Sequence, residues 1–147
     1  MGHLQRFSIP RFFAVAVAAV LAAAPGCSLG TEADEKPTSA RITVTGTTSS
    51  PLQLVVSTDF FEQIIGDGIE IQAVLITADT LSVTPPFEEV TALDELGSVF
   101  YRLIQPDSVP STVTMRVFLD EALEYDQDAT LSQGGALEYR FVFTSLF

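Results

Sequence analysis

Carboxylates are the only abundant reactive side chains in this chain. Their densest cluster is Asp120, Glu121, Glu124, Asp126 and Asp128, just ahead of a Leu-Ser-Gln-Gly-Gly turn at 131–135. Oxygen ligands at alternating positions suit Ca²⁺, so Glu121, Asp126 and Asp128 are the residues a calcium loop would draw on. The helix-loop-helix calcium motif itself does not fit. With Asp126 as first ligand, Leu131 stands where the required Gly belongs and Leu137 where the bidentate acid belongs. What remains is a looser site in a loop between strands. The plainer reading is a solvated acidic loop whose charges keep sheet edges apart.

Acid pairs such as Glu88-Glu89 or Asp94-Glu95 could in principle flank a glycosidic bond, which needs two carboxyls at a fixed separation around a sugar. Any acidic chain offers such pairs, and here there is no Trp and only Tyr101, Tyr125 and Tyr139 to form a stacking platform. The lone His is His3 and the lone Cys is Cys27. A domain lying beyond both has no serine–histidine–acid triad, cysteine nucleophile, Cys/His zinc site, or iron–sulfur or haem ligands. The expectation is therefore a non-enzyme with no catalytic residue and no cofactor, calcium apart. The formal charge of −12 disfavours nucleic acid, whose binding draws on clustered Lys and Arg.

These residues need a frame, and the chain begins with a segment of another kind. Arg6 and Arg11 lie in an acid-free stretch, residues 12–24 are an unbroken apolar run, and Pro25-Gly26 stop it. A membrane-spanning helix needs roughly 20 apolar residues. The layout is that of a secretory signal. Ala24-Pro25-Gly26-Cys27 resembles the lipobox of bacterial lipoproteins, in which a triplet of small or aliphatic residues precedes the Cys that receives the lipid. Gly26 matches the pattern, whereas Ala24 and Pro25 replace its commoner residues. The resemblance implies lipidation of Cys27, a membrane partner reached through the lipid, and, with Ser28 rather than Asp next, the outer membrane in a Gram-negative cell. Five cations (Lys36, Arg41, Arg102, Arg116, Arg140) would then face 19 acids, a formal charge of −14.

Residues 27–40 are small and polar and read as a flexible tether. From 41 to 147 the pattern is repeatedly period two, with strands expected at 41–48, 52–58, 69–77, 81–84, 87–92, 98–105, 112–119 and 136–146. The strand at 69–77 turns apolar on both faces and is expected to be central. Short helical turns are expected within 58–65 and 90–96. Phe60-Phe61 is read as closing one end of a core rather than as a contact patch. Seven or eight antiparallel strands, with turns about every ten residues, predict an all-β, immunoglobulin-like sandwich.

Two barrels are the alternatives. One is a lipocalin-like cavity for a small ligand. The other follows from residues 139–147, which resemble the C-terminal signal of outer-membrane β-barrels but carry Ser145 where an apolar residue is expected. The functional expectation is an exported envelope lipoprotein whose domain binds or scaffolds, with an envelope protein or polymer as partner.

Overall fold

The computed structural model describes residues 35–66 and 70–143. The chain divides into two units, Met1–Thr31 and Glu32–Phe147, and every described residue lies in the second. The alternating sequence gives ten strands: β1 (Ser39–Thr47), β2 (Leu52–Ser57), β3 (Phe60–Ile65), β4 (Glu70–Leu75), β5 (Asp79–Val83), β6 (Phe87–Ala92), β7 (Val99–Ile104), β8 (Ser111–Leu119), β9 (Ala122–Leu131) and β10 (Ala136–Phe141). Eight of them build a sandwich of two antiparallel sheets, ordered β6-β1-β8-β9 and β10-β7-β2-β5. The other two, β3 and β4, pair only with each other. The expectation of an antiparallel sandwich thus holds for an eight-stranded body, to which a two-stranded ribbon is added.

Alternation explains the core. Ile42 and Val44 of β1 and Val113, Met115 and Val117 of β8 point inward and are fully buried, as are Leu54, Val99, Tyr101 and Leu103 of the facing sheet. Each such side chain contributes on the order of 1.5–3 kcal/mol by leaving water. The intervening Thr45, Thr112 and Arg116 are exposed. Tyr101 is the largest of the fully buried side chains, and its hydroxyl donates to Thr91 Oγ1 at 2.8 Å. Burial, more than anything else, pushes that phenol up to about 12. β1 approaches β8 so closely at Gly46 (φ 126°) that a Cβ there would run into the Thr112 carbonyl.

Several expectations are corrected. Residues 60–65 form β3 and residues 87–92 form β6, so neither helical turn is present. Both stretches are too short to favour a helix on propensity alone. The strand at 69–77 is not central: as β4 it belongs to the ribbon. The acidic stretch after Asp120 is no loop, because 122–131 is the longest strand of the fold, with a bulge opposite Val117/Phe118. Tyr125, Ala129 and Leu131 supply its inward face and outweigh the acids between them. The tether ends earlier than Arg41. Pro37 is buried, Leu93 donates its backbone N–H to Thr38 O at 2.9 Å, and β1 already begins at Ser39. Among the described residues the sheets do not close on themselves, which overturns both barrel alternatives.

Candidate functional site

The ribbon is the part of the fold that the sandwich does not require. It interrupts the connection from β2 to β5, two neighbours that pair antiparallel and could be joined by a turn of a few residues. Residues 58–78 fill that connection instead. The ribbon lies over the outer face of sheet β10-β7-β2-β5. Phe60 is 7% exposed, and its ring centroid sits 5.8 Å from that of Phe100 on β7. Arg140 of β10 reaches up to it, with Nε 3.2 Å from Glu62 Oε1 and Nη1 donating to Ile71 O at 2.9 Å. Between ribbon and sheet runs a cleft of about 380 Å³, lined by Val55, Ile71, Leu75, Phe100, Arg102 and Glu138 among others.

Beyond these anchors the ribbon leaves large apolar side chains exposed. Phe61 is 49% exposed, Ile64 64%, Ile71 47% and Ile76 61%. Ile64 and Ile71 are direct cross-strand partners, so their side chains form one patch. The Phe60-Phe61 pair therefore divides its roles, one ring held on the sandwich and the other presented to solvent. Sequence reasoning missed this element. Its available signal was a run, 58–78, with apolar residues on both faces of its strands, four acids, and no Lys, Arg or Pro.

The acidic cluster is pulled apart by its partners. Asp126 and Asp128 lie on the outer face of β9, where Asp126 Oδ2 is 3.0 Å from Arg116 Nε and Asp128 Oδ1 accepts from Thr114 Oγ1 at 2.5 Å. Glu121 sits in the β8–β9 turn, 3.6 Å from Arg41 Nη2. Glu121, Asp126 and Asp128 are thus not gathered into a calcium loop. Among the described residues no group of three or more His, Cys, Asp or Glu is placed to hold a metal ion.

Asp120 has a structural task. Its carboxylate accepts from the backbone N–H of Thr38 at 2.8 Å and of Ser39 at 2.9 Å, and from both of their hydroxyls at 2.9 and 3.0 Å. The Thr38 N–H above all holds this acid below the usual aspartate range, with the hydroxyls and the Ser39 N–H adding to it. Asp120 also borders a larger open hollow of about 590 Å³, shared with Pro37, Leu119, Phe141 and Phe143, at the end where the described chain begins.

The tyrosines offer no sugar platform. Tyr101 is in the core, and Tyr125 and Tyr139 pack on each other with ring centroids 5.5 Å apart against that core. Burial raises both phenols, Tyr139 to about 12. Cys27 lies outside the described residues. Among the described residues no helix is long and apolar enough to cross a membrane. Compared with protein-family models, curated proteins and solved structures, the chain matches none.

Proposed function

We propose that this chain is an exported, lipid-anchored protein of the cell envelope whose β-sandwich serves as a non-catalytic binding or scaffold module. The observation that carries the reading is the ribbon. A stable sandwich needs no such insertion, and contiguous exposed apolar side chains on a small domain mark contact surfaces more often than decoration. The anchor rests on the signal-like segment and on Cys27 in its lipobox-like setting. The carboxylates support a non-catalytic role in their own way. Glu121, Asp126 and Asp128 are spread over a turn and an open sheet surface, engaged by Arg41, Arg116 and Thr114 respectively.

Fractionation of wild type and Cys27→Ser in the native host tests the proposal. The wild type is expected with the membranes and the variant in the soluble exported fraction, with its sheet content and cooperative melting retained. A variant that stays in the membrane fraction and needs detergent for release would sink the lipid anchor.

A further inference from the structure

We infer that ribbon β3–β4 is a strand-addition site for an extended protein segment that alternates apolar with basic residues. This rests on the binding-module reading above and names the partner for it.

The backbone comes first. A two-stranded sheet has two outer edges, and neither β3 nor β4 pairs with any further described strand. Rows of unpaired N–H and C=O groups are templates for another strand, and natural proteins blunt them with Lys, Pro, bulges or brevity. The sandwich follows that rule: its edge strand β9 carries Glu124, Asp126, Asp128 and a bulge, β6 carries Glu88 and Glu89, and β5 has only five residues. The ribbon is less guarded: it carries acids too, but residues 58–78 contain no Lys, Arg or Pro, and β3 and β4 pair without a bulge. Strand addition takes its affinity from main-chain hydrogen bonds and its specificity from alternate side chains.

The side chains then select the partner. Phe61, on the face away from Phe60, and the Ile64–Ile71 pair offer apolar contacts to an added strand, one set on each face. The segment holds four acids and no cation, and of its described acids Asp59, Glu62 and Glu70 only Glu62 has a cation partner, Arg140. Basic residues on the added strand complete this charge pattern. A second copy does not: the chain carries −12 overall, and two ribbons would set acid against acid.

The test uses the full chain in a non-ionic detergent and fluorescein-labelled decapeptides read by anisotropy. A peptide alternating Lys with Val or Ile is expected to bind about tenfold or more tightly than a Lys/Ser peptide of equal charge. Phe61→Ser with Ile64→Ser should erase that advantage while leaving the melting temperature unchanged. N-methylation of alternate peptide nitrogens should erase it too, without touching the protein. Equal binding of the two peptides, or indifference to N-methylation, overturns the proposal. So does a wild-type dimer in sedimentation that the double variant converts to monomer. Membrane release of Cys27→Ser bears on none of these readouts, so failure of the anchor and failure of the ribbon are told apart.

Discussion

In the sandwich, Ile42, Val44, Val113, Met115 and Val117 point inward and are fully buried; in the ribbon, Phe61 lies on one face and Ile64 and Ile71 on the other, and all three stay about half exposed or more. Both regions are strands rich in apolar residues, and the outcome is opposite. What differs is the second layer. Each sandwich sheet has the other to cover its apolar face, whereas the ribbon has the sandwich beneath it only near Phe60 and Arg140. Apolar residues in the first region supply stability, and in the second they are left for contact.

The largest test of that division pairs Leu54→Ala with Ile64→Ala. Leu54 is fully buried on β2 between β5 and β7, so truncation leaves a cavity and should cost about 3 kcal/mol in chemical denaturation. Ile64→Ala should stay within about 0.5 kcal/mol. Equal costs would mean that the ribbon belongs to the core.

The next effect concerns the hinge between the regions. Phe60→Ala removes the ring that packs on Phe100 and should cost about 2 kcal/mol, less than a core aromatic, because the loss is capped at the ribbon's own docking. Hydrogen exchange is the measurement that counts. Protection should vanish across β3 and β4 and persist in β7 and β8; loss in both would show that ribbon and sandwich unfold as one unit.

Much of this was legible in the sequence. Clean alternation in 41–48 and 112–119, with apolar residues at every second position, placed β1 and β8 and their buried faces. Alternation alone does not say what covers a face. The run at 69–77, apolar on both sides, has the pattern of a central strand, and an exposed ribbon produces the same pattern. Charge hid β9: the eye takes Asp126 and Asp128 for a loop, although Arg116 and Thr114 across the ladder make both acids suitable on an outward face. Asp120 read only as one more member of an acidic cluster because nothing local shows that Thr38 and Ser39, some 80 residues away in sequence, donate to it.

That contact gives a smaller effect, on the sandwich side of the comparison. Asp120 fastens the start of β1 by polar contacts on an open surface, so Asp120→Asn should cost about 1 kcal/mol at neutral pH, solvent screening discounting four formal bonds. The folded carboxyl titrates lower than the unfolded one, so its contribution is complete above the ordinary aspartate range and is lost as pH falls through the lowered value. Melting curves of wild type and variant should therefore converge in acid. A difference independent of pH would assign the effect to shape rather than charge.

The smallest effect isolates backbone from contact. Asp120 and Glu121 both have positive φ, 43° and 78°, as the two central residues of a tight hairpin turn require. Asp tolerates that region and Glu does so poorly. Glu121→Gly removes the steric cost and gives up only a loose, highly exposed ion pair with Arg41, 3.6 Å apart, whose worth is small. The net change should be a gain of about 0.5 kcal/mol, read as a slightly higher midpoint in urea at unchanged slope. Glu121→Gln, which keeps the backbone strained and removes the charge, should bring no such gain. If the Gln variant gains as much as the Gly variant, repulsion among the acids at this end, and not the turn, is what Glu121 costs the sandwich.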